Sequence, residues 1–200
     1  MNHLGAETLI GPATDEELVA ALQAGDMQSL GQLVVRWEQP LYRFVCRMVH
    51  RPEDARDVCQ ETFLRVLDRS DKFRSGSRFS TWMYQIALNL CRDRARRKKR
   101  WGRIVDDGKE APTETTAIRG DQLGVNPESD SVRSELAQAV QSGLMQLPPE
   151  QREVLILKEY QGLKFKEIAE ILSCPESTVK SRMYYGLNSL RQTLSRQGIT

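Results

Sequence analysis

The stretch Phe79–Arg100 constrains this 200-residue chain more than any other. Ser80 or Thr81 offers a short hydroxyl to the orphan amides of a first turn, so a helix is predicted to start there. Trp82, Ile86 and Leu90, with Met83 and Ala87 alongside, recur at helical spacing and predict an apolar face. Gln85, Asn89, Arg92 and Arg96 fall on the other face, and beyond Cys91 the segment turns almost wholly cationic. Such an element is anchored in a core at its start and meets either a polyanion or only its own helix dipole at its end. On its own the segment leaves both readings open.

Charge distribution bears on that choice. The net charge of +2 hides a segregation: residues 1–100 hold 17 Lys/Arg against 13 Asp/Glu, residues 101–134 hold 4 against 7, and residues 135–200 hold 8 against 7. An acidic middle thus masks a basic surface on the first half, an asymmetry that points to a polyanionic partner. Met1–Pro12 lacks the basic start and apolar core of a signal peptide. No run approaches the roughly 18 apolar residues of a membrane span, so a soluble cytoplasmic protein is expected. Cys46, Cys59, Cys91 and Cys174 form no CxxC pair and have no His at ligand spacing, so buried reduced thiols are expected and no metal.

Along the chain, Met1–Ala13 reads as a loose tail. Thr14-Asp15-Glu16-Glu17 is a capping box opening a short helix that closes near Gly25. Asp26 caps a second helix with a long apolar stripe (Leu30, Leu33, Val34, Trp37, Leu41, Phe44, Val45, Met48), and Pro40 predicts a kink or break in it. Pro52 suits the first turn of a third helix, about Glu53–Arg69. Ala55, Val58, Thr62 and Val66 point inward there, while Asp54, Asp57 and Glu61, with Gln60 beside them, line another face. That acidic stripe is either solvated surface or a dock for a basic helix. The loop Asp71–Arg78 is basic and flexible in composition, with Phe73 and Phe79 at its ends. Lys72, Arg74 and Arg78 interleaved with aromatic rings suit single-stranded nucleic acid, where phosphates meet charge and bases stack.

From Gly102 to Asp130 periodicity vanishes, and an acidic, flexible linker is expected. Helical spacing returns over Ser131–Gln146 and is broken at Leu147-Pro148-Pro149. A helix over Glu150–Tyr160 ends at Gly162, and a short helix follows over Phe165–Leu172. After a tight Ser173-Cys174 turn, Pro175 opens a last helix with Val179, Met183, Leu187 and Leu190 inward. A short and a longer helix across a tight turn read as helix-turn-helix. The first turns of the last helix expose Glu176, Ser177, Thr178, Lys180, Ser181 and Arg182, the positions a recognition helix presents to a major groove.

With these segments read, the chain resembles an alternative sigma factor of bacterial RNA polymerase, of the extracytoplasmic-function type. Asp54–Val66 is similar to the family's polymerase-docking helix, and Phe79–Asn89 to its promoter-melting and −10 segment. Leu147–Val154, Glu167–Leu172 and Thr178–Arg182 resemble its −35-binding region. The resemblance implies an all-α chain: a region 2 bundle over 14–100 and a region 4 helix-turn-helix domain over 135–194, joined by the flexible linker 101–134 after a tail of 1–13. It implies docking on core RNA polymerase through Asp54, Asp57, Gln60 and Glu61. Duplex −35 contacts would come from Glu176, Ser177, Thr178, Lys180, Ser181 and Arg182. Capture of a melted −10 strand would fall to Lys72, Phe73, Arg74, Arg78, Phe79, Gln85, Asn89, Arg92 and Arg96.

The resemblance further implies a monomer on polymerase, with no cofactor, no catalytic residue and room for an anti-sigma factor to close the two domains. The family often has Gly where Ser173 and Ser177 stand here, so Ser173 must take or avoid a left-handed backbone. A stand-alone helix-turn-helix regulator is the alternative, and it leaves the acidic stripe and basic loop without a purpose. A nucleic-acid enzyme is the third class. It lacks a paired-carboxylate or Ser–His–Asp set, and His3 and His50 are the chain's two histidines.

Overall fold

The computed structural model describes residues 13–49, 51–104 and 127–199, with backbone alone for 101–104 and 127–134. The expected tail up to residue 12, both histidines and residues 105–126 of the expected linker lie outside the described residues. The described residues form α-helices and no strand: α1 (Asp15–Gln23), α2 (Met27–Met48), α3 (Pro52–Asp68), α4 (Phe79–Ile104), α5 (Pro127–Gln146), α6 (Pro149–Leu155), α7 (Phe165–Leu172) and α8 (Glu176–Arg196). α5 starts four residues earlier than its apolar spacing predicts.

Local signals set most of the helix starts. Thr14 and Glu17 close the capping box reciprocally, at 2.7 and 3.2 Å. Asp26 accepts from the Gln28 amide at 2.9 Å and from the Ser29 hydroxyl at 2.7 Å. Pro52 and Pro149 occupy first turns, where a missing N–H costs nothing. Of the kink or break expected at Pro40, the break does not occur, and α2 runs through it. A helix-interior proline costs about 3 kcal/mol. Leu41, Phe44 and Val45 on the next turn are fully buried, at about 1.5–3 kcal/mol each, and outweigh that cost.

The start of α4 differs from expectation. Neither Ser80 nor Thr81 is the cap. The helix begins at Phe79, whose amide donates at 2.9 Å to Oε1 of Glu16, sixty-three residues earlier on α1. A carboxylate there satisfies an orphan donor and complements the helix dipole, so it outcompetes a hydroxyl. Thr81 Oγ1 is left buried without a partner.

α1 to α4 pack around Val19, Leu33, Leu41, Phe44, Val45, Ala55, Val66, Phe79, Met83 and Ala87. Trp37 sits edge-on to Phe79 and Tyr84 and donates its indole N–H to Asp15 at 3.0 Å. α5 to α8 enclose Leu144, Val154, Leu155, Ile156, Leu157, Ile168, Ile171 and Val179. Here α6 passes into a π-helical turn over Ile156–Tyr160. Ile156 and Leu157 are both buried on this turn and extend the inward face of Val154 and Leu155. Leu187 is exposed, contrary to expectation. The inward stripe runs Val179, Met183, Gly186, Leu190, because steps of four drift off the face of a 3.6-residue helix. Gly186 lets α8 press on α6: a Cβ there would stand 3.1 Å from Leu155.

The two domains also pack on each other, so that one apolar cluster is continuous through both. α4 lies against α7, and α2 against α5 and the π turn. Polar contacts seal this seam. The Tyr84 hydroxyl donates to Gln161 at 2.5 Å, the Gln141 amide donates to the Cys46 carbonyl at 3.2 Å, and the Arg47 guanidinium lies 4.0 Å over the Tyr160 ring.

Candidate nucleic-acid interface

The basic loop is held in place from α1. The Gln23 side-chain amide donates to the Ser70 and Phe73 carbonyls at 2.7 and 3.3 Å. A 3₁₀ turn over Ser70–Lys72 and a bend at Gly76 (φ 84°) then return the chain to α4. This folding opens a pocket of about 340 Å³, lined by Lys72, Phe73, Arg74, Ser77, Arg78, Thr81, Trp82 and Gln85, with Glu170 of α7 on its edge. Phe73 and Trp82 meet at 5.3 Å with their planes tilted by 50°. A cavity of this size with ring edges and three cations suits a planar polar ring with an attached phosphate.

Of the residues expected to meet a melted strand, the structure gathers Lys72, Phe73, Arg74, Arg78 and Gln85 at this pocket. Phe79 is not among its lining: it is fully buried and packs on Trp37 and Trp82. Asn89 is exposed a turn further along α4. Arg92 is not open to solvent as expected. Its Nε and Nη2 donate at 2.8 and 2.6 Å to the two carboxylate oxygens of Glu153, which is buried in the domain seam. Those hydrogen bonds raise the Arg92 pKa despite its partial burial. Arg78 pairs with Glu167 of α7 at 2.9 Å. Arg96 is exposed and pairs with Asp93. Arg94, in the cationic run beyond Cys91, turns to α3.

That turn shapes the acidic stripe. Arg94 Nη2 contacts Asp54 at 2.5 Å and Asp57 at 3.0 Å, and Glu61 pairs with Arg65 at 2.9 Å. Asp57 and Gln60 stay exposed. Beside Gln60, Leu30, Val34, Tyr42, Phe63, Leu64 and Leu67 line an apolar groove of about 550 Å³ between α2 and α3. The stripe is therefore the edge of a groove, which its charges alone did not reveal.

In the second domain, α7 ends on Ser173 with φ 52° and ψ 47°, the left-handed region. The Cys174 amide returns to the Ala169 carbonyl at 3.1 Å, closing a Schellman turn that aims α8 outward. Glu176, Ser177, Lys180 and Ser181 are exposed on its first turns, while Thr178 and Arg182 are half-buried. Lys180 pairs with Glu176 at 2.7 Å, the Ser181 hydroxyl donates to the Ser177 carbonyl at 3.0 Å, and Arg182 reaches Cys174 Sγ at 3.9 Å. Sequence reasoning missed Tyr184 and Tyr185, which extend this outward face with 64% and 60% exposure. Their spacing of seven from Ser177 and Thr178 was the available signal.

The model of Sigma-70 region 2 matches residues 33–101, and that of Sigma-70 region 4 matches residues 131–190. The ECF RNA polymerase sigma factor SigW of Bacillus subtilis is 35% identical over 178 residues, covering 88% of this chain and 94% of SigW. This chain is an ECF RNA polymerase sigma factor. The ECF RNA polymerase sigma-E factor of Escherichia coli K12 is 33% identical over 180 residues, covering 86% of this chain and 89% of its own. The RNA polymerase sigma-H factor of Pseudomonas aeruginosa is 30% identical over 183 residues, covering 90% and 93%.

Among solved structures, CnrH in complex with the cytosolic domain of CnrY superposes with a TM-score of 0.68 at 26% identity, covering 91% of this sigma factor and 97% of that chain. The sigma factor RpoE of Bartonella quintana, in complex with the anti-sigma factor NepR, gives 0.70 at 24% identity, covering 84% and 98%, and bears on the fold alone. The sigma factor is thus an initiation factor and not an enzyme. None of its described helices is long and apolar enough to cross a membrane.

Proposed function

We propose that this sigma factor works in the cytoplasm by joining three surfaces to three targets. Asp57 and Gln60, with Asp54 and Glu61 at their flanks and the α2–α3 groove beside them, dock on core RNA polymerase. Glu176, Ser177, Thr178, Lys180, Ser181 and Arg182 enter the −35 major groove as the exposed start of a recognition helix. The loop of Lys72, Arg74 and Arg78 holds the melted −10 strand, with an unstacked base against Phe73 and Trp82.

The pocket carries this reading. It places a ring pair and three cations within one cavity, so stacking and charge act together on one nucleotide. Extracting a base from a duplex costs a few kcal/mol, and stacking returns about 1–3 kcal/mol per base, with the phosphate contacts supplying the rest. An anti-sigma partner also fits the reading, since CnrH, which superposes with a TM-score of 0.68, was solved in complex with the cytosolic domain of CnrY. A monomer serves on polymerase, one chain spanning both promoter elements.

Run-off transcription with core polymerase and a promoter library tests this. Transcripts should start only when the sigma factor is added, from templates sharing two short elements. Template-independent output, or none from any template with active core, refutes the proposal.

A further inference from the structure

Two walls of the −10 pocket are tied to α1, a short helix that itself lines no part of it. The Gln23 side-chain amide donates to the Ser70 carbonyl at 2.7 Å and to the Phe73 carbonyl at 3.3 Å, bridging the start and the cap of the 3₁₀ turn. Earlier on α1, Glu16 Oε1 accepts the Phe79 amide at 2.9 Å and fixes where α4 begins. The seven residues from Glu16 to Gln23 make almost two turns and about 10 Å of rise, so both side chains leave the same face of α1. Between these anchors, residues 74–78 bend at Gly76 and carry Arg74, Ser77 and Arg78 to the pocket. Phe73 rides on the first anchor, Trp82 stands about one turn past the second, and their rings meet at 5.3 Å. We propose that α1 is a brace for base capture, with Glu16 and Gln23 as positioning residues that set the Phe73–Trp82 spacing without touching the strand. The inference rests on reading the pocket as the −10 site. It gives a role to a helix that precedes the residues matched as Sigma-70 region 2.

Two observations separate a brace from ordinary packing. α1 is held in the core by Leu18, Val19 and Leu22, all buried, so its place does not depend on Glu16 or Gln23. Both of those residues are exposed, where a hydrogen bond adds little to global stability because water replaces it. Their loss falls instead on the segment they hold. That segment has one 3₁₀ turn and a left-handed glycine, and no residue from Ser70 to Arg78 is buried. Besides these bonds and the Arg78–Glu167 pair, few contacts oppose its motion. A pocket fixed before the base arrives binds it more tightly with no new contact, because the walls need no ordering at the moment of capture.

The test uses the full chain assembled with core polymerase. Its ligand is a labelled single strand carrying the −10 element selected from the run-off library, with one base at a time replaced by an abasic site. Anisotropy gives the affinity for each strand. The wild type should lose roughly tenfold at the position whose base enters the pocket, toward the low end of what one stacked base contributes. Gln23→Leu should lose about as much on the intact strand and show no further loss on the abasic one, with its melting temperature near the wild-type value. Glu16→Leu should behave alike. Glu16→Gln, which keeps an acceptor for the Phe79 amide, should retain most of the discrimination. Should Glu16→Leu fail to fold, Gln23→Leu carries the test at its exposed position. A merely structural helix would weaken both strands alike, so a wild-type ratio of intact to abasic affinity in folded Gln23→Leu overturns the brace. A wild type blind to every abasic site removes the pocket reading and the brace with it, which tells the two failures apart.

Discussion

Ser173 is the one non-glycine residue with positive φ among the described residues, and its position offers a clean test of the helix-turn-helix geometry. A left-handed backbone costs an ordinary L-residue roughly 1–2 kcal/mol, relief of which Gly would supply. Glycine in turn gives the unfolded chain more freedom, a loss of about 0.4–1 kcal/mol. The Ser173 side chain is exposed and its amide already bonds the Glu170 carbonyl at 3.3 Å, so backbone terms dominate. Ser173→Gly should therefore stabilise the protein by about 0.5–1 kcal/mol, the difference of those two terms. For a chain of this size that raises the melting temperature by roughly 1–4 °C, read by circular dichroism. Ser173→Val, whose branched Cβ fits this region worst, should lower it. A lower melting temperature for Ser173→Gly, or a higher one for Ser173→Val, refutes the assignment of strain at this turn.

Three further outcomes are expected. Asp57→Lys with Glu61→Lys should abolish capture by core polymerase while leaving the circular dichroism spectrum unchanged; retained capture would remove α3 from the docking role. Trp82→Ala should cost about 1–3 kcal/mol in opening of promoter DNA by the polymerase complex and leave binding to −35 duplex unchanged. Burial pushes the Cys59 and Cys91 thiols from an ordinary value of 9.0 up to about 12. Their neutral burial therefore stabilises the fold fully below pH 9 and loses about 1.4 kcal/mol per thiol per pH unit as pH rises toward 12. Urea melts at pH 8 and pH 10 should show that loss, and Cys91→Ala should make the slope shallower.

What the sequence declared was whatever a few neighbouring residues decide. Thr14 with Glu17, Asp26, Pro52, Pro149 and Gly162 act within one turn, and each sits where its chemistry predicted. The positions that differed depend on partners far along the chain. Glu16 caps α4 across sixty-three residues, Arg94 pairs with Asp54 and Asp57 of α3, and Arg92 is taken by Glu153. Tyr84 is buried as well, its ring on Trp37 and Phe44 and its hydroxyl bonded to Gln161 seventy-seven residues later. A face read as polar or uncommitted becomes interior once a second domain lies on it, and no local periodicity encodes that.

Phe79–Arg100 is better described as a three-sided helix than a two-sided one. Met83 and Ala87 serve the first domain's core, Trp82 and Gln85 serve the pocket, and Tyr84 and Arg92 serve the seam with the second domain. A helix has room for about three such stripes around its circumference, so none is left for plain solvation until Asn89 and the exposed run from Ala95 to Arg100. The consequence is a division of mutational effect along one element. Changes on the Met83 stripe are expected to lower stability, changes on the Trp82 stripe to weaken the proposed hold on the melted strand, and changes on the Tyr84 stripe to loosen the seam between the domains. On the proposed reading the exposed cationic end meets phosphates through charge alone. Its effect should decay with salt, whereas the pocket's stacking should not.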